Sequence, residues 1–427
     1  MITTRLAARV RRFYLYQAAS SFALWIPFWA LWIRGHLASD FELTLVDVAF
    51  WIGLLVFQLP VGVIADRYGR KKAILLSEAF RTVGILGYGL GGSFVGFVVA
   101  NVVWSLGAAF MIGTSAYLYE TLLEAGHEAE FPRYIGRNTM VQLGANAAGA
   151  FAGGILASAT GSIGDTLIVG TAWNLACIGV AATFVEPAVP RMTEPSFWAQ
   201  LAQGWHIVKR REGVSLLIGI EVVLGVTLYM MALFRPIYLT AGLGYNEAEV
   251  AIGVSGFLFA AALVSAFAGG VASRLGEFGT ILGLVGLAAA GFLGMWLAGA
   301  NRWAVAFQIP IYIAWTLQAP LTTAFLNRRL EPGQRATVLS MGAFAYTLVL
   351  VVVEPLVGLA TGATGVFALG LALGVFALVP SIFILVRWRQ TVAPWPAVTP
   401  VPSRLVPGAG RVSRFGRLFE RLSRLKP

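Results

Sequence analysis

The chain has 427 residues, 58% of them hydrophobic and only 12% charged, with a formal net charge of +11 and 49 glycines. An ordinary soluble protein has about a quarter of its residues charged, so this composition excludes a water-soluble globular domain and equally a disordered or fibrous chain. At about 20 residues per membrane-spanning helix plus a connection, the length accommodates about twelve spans, and the mean hydropathy of +0.77 agrees with that class.

In chain order, apolar runs bounded by charge or by Gly and Pro clusters predict spans near 13–33, 44–65, 73–91, 94–119, 138–159, 166–185, 214–239, 248–271, 279–299, 303–326, 337–360 and 364–386. The first run has no small-residue cleavage site after it and is long enough to cross a bilayer, so a retained helix is expected rather than a signal peptide. Tyr14, Gln17 and Trp25 on that run are candidates for the wall of a solute cavity. Thr44, with Asp47 three residues on, is expected to cap the start of the second span, which would account for an acid near the outer interface. Glu78 and Arg81 on the third span are expected to pair with each other and snorkel toward the cytoplasmic face. The remaining cavity candidates are Asn101 and Tyr117 on the fourth span, Gln142 and Asn146 on the fifth, Gln308, Tyr312 and Gln318 on the tenth, and Tyr346 on the eleventh. Amides and aromatics poor in fixed charge suit a neutral, cationic or amphiphilic organic solute.

The loop after the second span reads Gly62-Val-Ile-Ala-Asp66-Arg67-Tyr-Gly69-Arg70-Lys71-Lys72. Gly62 is expected to let the helix end pack closely, Asp66 places a carboxylate at a helix junction, Gly69 permits a tight turn, and the basic residues hold the loop at an anionic inner leaflet. The spacing G-x-x-x-D-R-x-G-R-[RK] resembles the signature of the major facilitator superfamily of secondary transporters, most closely its twelve-helix drug/proton antiporter-type exporters. That resemblance implies an all-α integral membrane fold with twelve transmembrane helices in two pseudo-symmetric six-helix bundles. It further implies that Asp66 caps the eleventh helix near Arg335-Ala-Thr337, and that Arg70 pairs with Glu120 to latch the outward-facing state. Gly149-Ala-Phe-Ala-Gly153-Gly154 in the fifth span is similar to the family's antiporter element, with Ala150 where proline is usual. The family's fourth-span arginine has no counterpart between Asn101 and Gly107.

The two halves echo each other. Gly269-Gly-Val-Ala-Ser273-Arg274-Leu-Gly276-Glu277 follows the eighth span as the signature loop follows the second, and Asn246 with Glu249 opens the eighth span. Parallel six-helix halves with a site between them are an alternating-access architecture. The expected division is 1–190 as the N-terminal bundle, 191–213 as a cytoplasmic linker with an amphipathic segment, 214–390 as the C-terminal bundle, and 391–427 as a proline-rich tether with a basic tail. With twelve spans, 27 of the 31 Lys and Arg residues fall on one side, which places both termini in the cytoplasm and the protein in the cytoplasmic membrane. Phe415, Leu418, Phe419, Leu422 and Leu425 give the tail an apolar helical face suited to the inner leaflet, the alternative being a disordered tail.

Three ionisable groups remain inside the spans as candidates for proton coupling. Glu221 has no basic residue within helical reach, so its neutral form is accessible and it can carry a proton, or it hydrogen-bonds a neighbouring helix. Glu354 and Arg235 lie within about one turn of each other in depth and are expected to pair at the outer gate, or each to find headgroup, water or backbone. One cysteine, Cys177, and three dispersed histidines offer no metal site, and no P-loop or nucleophile–base set is present, so no cofactor, no metal, no nucleic acid and no enzymatic activity are expected. The sequence reads as a monomeric secondary transporter that moves small organic solutes by alternating access, as a proton-coupled exporter, its partners being such a solute, protons and a bilayer with an anionic inner leaflet. The alternatives are a facilitator or symporter, and a lipid translocase or membrane sensor on the same fold.

Overall fold

The computed structural model of the protein describes residues 4–111, 113–188, 197–265 and 268–392. Fifteen α-helices occur among them: α1 Thr4–Ser21, α2 Trp29–Gly35, α3 Asp40–Tyr68, α4 Arg70–Leu90, α5 Phe94–Met111, α6 Thr114–Glu124, α7 Phe131–Thr160, α8 Gly164–Ala182, α9 Phe197–Arg210, α10 Glu212–Ile237, α11 Glu247–Ser265, α12 Ala268–Ala298, α13 Gln308–Arg329, α14 Pro332–Thr364 and α15 Ala368–Thr391. In chain order they overlie the ranges of the twelve predicted spans, with α1 and α2 over the first, α5 and α6 over the fourth, and α9 between the halves. Among the described residues nine helical stretches are long and apolar enough to cross a membrane on length and composition alone. Large apolar side chains such as Val63, Leu90, Met140, Leu297 and Phe383 stand exposed by two-thirds or more of their surface. In water such a belt would be an aggregation surface; against lipid it is the expected outer face. The predicted interfacial tail lies outside the described residues.

The first pass departs from the expected continuous helix over 13–33. The chain unwinds between Ser21 and Trp29 at Pro27, which cannot donate a backbone hydrogen bond. The glycines of α7 fit against this unwound stretch. A Cβ on Gly149 would meet the backbone nitrogen of Ala23 at 2.6 Å, and one on Gly153 would strike the Leu24 carbonyl. These glycines therefore press on unwound backbone, and Gly154 alone among them packs across the halves, against Ala251.

Two further expectations are corrected. The second helix begins a turn earlier than Thr44: Ser39 Oγ accepts from the Glu42 amide at 3.2 Å while Glu42 accepts from the Ala38 amide at 2.9 Å. Asp47 is thus no capping residue but a buried acid inside α3, 3% exposed. In the other half the predicted box stands, with Asn246 and Glu249 exchanging backbone-to-side-chain bonds of 2.8 and 2.9 Å. Gly62 faces open space, so close packing is not what calls for a glycine there.

The contacts joining the two halves lie at the end opposite the basic loops. Tyr229 donates to Asp47, Gly358 packs on Thr44 and Asp40, and Gly154 on Ala251. At the basic end, the ion pairs Arg9–Glu124, Arg70–Glu120, Arg329–Glu277 and Arg387–Glu212 each join elements of one half. The two halves therefore meet at the far end.

Candidate functional site

The unwound stretch of the first pass borders a cavity of about 300 Å³, lined among others by Ser20, Trp25, Arg81, Trp104, Gln142 and Asn146. Discontinuous spanning helices favour ligand sites because backbone freed from the helix must line a cavity or be buried in protein. Trp25 and Trp104 meet edge to face with centroids 5.2 Å apart, and the Arg81 guanidinium sits 5.1 Å from the Trp104 ring. The Arg81 Nη1 donates to Glu78 Oε1 and Ser20 Oγ, both at 2.7 Å, and Glu78 Oε1 also accepts from Tyr16 and Ser20 at 2.7 Å. Glu78 is fully buried and Arg81 is 6% exposed, so this is a buried pair tied to α1 and not the snorkelling pair expected. Charge-assisted bonds from three donors compensate the desolvation that drove the expectation of snorkelling. The cavity wall therefore carries a fixed cation that the sequence reading had not assigned to it.

At the basic end, Arg70 Nε lies 2.8 Å from Glu120 Oε1, the pairing that the sequence resemblance implied. Both partners belong to the N-terminal bundle, and the pair is formed with the far end closed. Gly69, at φ 102°, adopts the left-handed region that favours glycine, and a Cβ there would strike the carboxylate of Glu186. Glu186 accepts from the amides of Arg70 and Lys71 at 2.7 and 2.8 Å, capping α4 with a carboxylate at the positive end of its dipole. Sequence reasoning missed Glu186, which lies 116 residues from Arg70. It also missed the second-half counterpart of this ion pair: Gly276 repeats the break at φ 68°, and Glu277 beside it pairs with Arg329 at the end of α13 with the charges reversed. The internal repeat was the signal that could have found it. The side chain of Asp66 lies outside the described ones, Arg67 is exposed, and the eleventh helix near Thr337 is covered by Gly204 of α9.

The remaining expected cavity residues are dispersed. Gln142, Asn146 and Trp25 line the cavity. Gln17 is buried, and its Oε1 has no hydrogen-bond partner among the described residues. Tyr14 donates to the Tyr134 carbonyl at 3.0 Å, Tyr117 to that of Val185 at 3.1 Å, and Asn101 is held between Tyr88 and the Val46 carbonyl. These three tie helices together. Gln318 donates to the Glu221 carbonyl at 3.3 Å, and Tyr346 packs on Trp51 with centroids 5.6 Å apart. Gln308 accepts from Arg235 Nε at 3.2 Å, and Arg235 lies 4.1 Å from the Tyr312 ring. Arg235 is thereby occupied by the tenth span, while Glu354 lies against Asp47, so the expected Arg235–Glu354 pair is not formed. Equal depth on two helices does not fix which faces meet.

If Arg70 and Glu120 act as one latch, alanine at either position should reduce transport strongly. A double-mutant cycle on the conformational equilibrium should show a coupling of about 0.5–3 kcal/mol, and fully additive effects would remove the pair from the mechanism.

The family model of the Major Facilitator Superfamily matches residues 13–354, and the chain belongs to that family of membrane transporters. The enterobactin exporter EntS of Salmonella choleraesuis is 29% identical over 251 residues, which is 54% of each chain. The chain thus spans about half the length of that curated relative. Among solved structures, the nucleoside transporter NupG superposes with a TM-score of 0.72 at 12% identity, covering 89% of this chain and 99% of that one. A D-xylose–proton symporter gives 0.69 at 13% identity over 90% and 96%. At those identities the fold is what is shared.

Proposed function

We propose that the protein exports a small organic solute across the cytoplasmic membrane, coupled to protons, with both termini in the cytoplasm. The observation that carries the reading is the cavity at the broken first pass: it combines aromatic walls, amides and one guanidinium in a bundle closed at the far end, where a solute from the cytoplasm would bind. Tryptophan edges suit an aromatic or amphiphilic body, and Arg81 with Gln142 and Asn146 suits acceptor groups on it. The similarity to an enterobactin exporter supports outward movement of an organic compound. Nothing in the sequence resembles a nucleotide site, which leaves an ion gradient or the solute's own as the energy source.

Glu221 is the proposed proton carrier on the seventh span, where it is partly buried near Gly342 of α14. Glu221→Gln imitates the protonated state, so solute exchange in proteoliposomes should persist while uphill transport driven by a pH gradient is lost. Uphill transport at full rate in Glu221→Gln would remove the residue from coupling. A panel of cationic dyes, amino acids and sugars, assayed with and without the pH gradient, identifies the solute class. A facilitator or symporter is the second reading, favoured by Ala150 in the fifth-span element and by the absence of a basic residue from 101 to 107.

A further inference from the structure

At the far end, spans two, seven and eleven meet in a pair of acids that the reading above leaves without a role. Asp47 on α3 is 3% exposed and Glu354 on α14 is fully buried. They come from opposite halves and lie side by side, on helix faces that meet where Gly358 of α14 packs on Thr44 of α3 and Trp51 of α3 on Tyr346 of α14. Asp47 Oδ2 accepts from the Tyr229 hydroxyl at 2.6 Å and from Trp51 Nε1 at 3.2 Å. No donor group among the described residues reaches either oxygen of Glu354, which meets only the Asp47 carboxyl. The groups facing the pair are Trp51 of α3, Tyr88 of α4, Tyr229 of α10 and Tyr346 of α14, with no cation among the described residues. Arg235, the nearest intramembrane cation along the seventh span, is held by Gln308 and Tyr312.

Two carboxyl groups in contact, away from water and without a cation, cannot both be ionised. Two donors at Asp47 favour its carboxylate, whereas bare oxygens at Glu354 fit the neutral acid, whose O–H can donate to Asp47. We infer that Asp47 and Glu354 form a proton-binding site shared by the two halves, occupied by one proton when the far end is closed.

Opening the far end draws α3 away from α14. Each carboxyl then gains water and loses the neighbour that held the proton between them. The closed state binds one proton more than the open state, so by linkage acid favours closure and alkali favours opening. For its consequence in transport this inference rests on the proton-coupled reading, since the same proton would tie closure of the gate to the gradient.

The test uses the full chain with its single, buried cysteine replaced, Cys177→Ser, and spin labels on Ala38→Cys and Ala363→Cys, both exposed at the far end of opposite halves. Distances between the labels are measured in lipid nanodiscs at acidic and alkaline pH. The ratio of separated to close populations should rise at least about tenfold on going to alkali, the change that one unit of difference in proton affinity gives. Glu354→Gln should stay closed at both pH values, and Asp47→Asn should lose the response as well. Glu354→Asp, which keeps an ionisable group, should retain it and so separates loss of the proton from loss of the fold. A pH-independent ratio in the parent, or a full response in both amide variants, overturns the site. Solute-driven proton movement is measured on the same preparations. Coupled movement with pH-independent distances leaves the coupling reading intact and sinks this site, while a Glu354-dependent distance response without coupled movement supports the site and sinks the coupling.

Discussion

Glu78→Ala should cost about 3–5 kcal/mol of stability and abolish transport, because it leaves the Arg81 guanidinium buried without its counter-charge. Thermal unfolding in detergent measures the first effect and proteoliposome uptake the second. Glu78→Gln keeps an acceptor for Tyr16 and Ser20 and should lose less. The double variant Glu78→Gln with Arg81→Gln removes both charges and should regain much of the stability lost in Glu78→Ala. It should still fail to bind solute, since Arg81 lines the cavity beside Trp25 and Asn146. If the double variant transports at the parental rate, Arg81 is a packing residue and the cavity assignment loses its polar anchor.

Gly153→Ala should be nearly as damaging, although it adds only a methyl group. The new Cβ would occupy the place of the Leu24 carbonyl, a backbone atom that cannot move unless the unwound stretch of the first pass rearranges. Overpacking of this kind costs about 1–3 kcal/mol and occasionally more. Displacing residues 22–28 also deforms the cavity wall, so solute affinity should fall by about tenfold or more, equivalent to about 1.4 kcal/mol. Gly144→Ala on the same helix meets nothing within 4 Å and should be silent in both assays. Equal behaviour of the two variants would show that α7 does not brace the break.

The hydrophobic runs made the order of the long helices legible, because a spanning helix must satisfy its own backbone and shows this in sequence as length and apolarity. The signature loop was legible through its spacing, and the Arg70–Glu120 pairing only through the family resemblance which that spacing carries. The break in the first pass was not, since Pro27 sits in an aromatic run that reads as one continuous span. Thr44 and Asp47 looked like a cap, while Ser39 and Glu42 form one about a turn earlier, on the amides of Glu42 and Ala38. The partners of Asp47, Arg235 and Glu354 depend on which helix faces meet across the halves, and depth along a helix does not specify rotation about it. Glu186 caps α4 from across the bundle, a tertiary event with no local pattern.

In the proposed cycle, solute movement one way drives proton movement the other way through this bundle. This coupling is tested most directly in sealed proteoliposomes loaded with solute and a luminal pH indicator, with no initial pH gradient. Diluting them into solute-free buffer imposes an outward solute gradient. Antiport predicts that the lumen acidifies as solute leaves, and that Glu221→Gln abolishes the acidification while solute exchange continues. Luminal alkalinisation would mean symport, and solute efflux without any pH change would mean facilitated diffusion; either result contradicts the account.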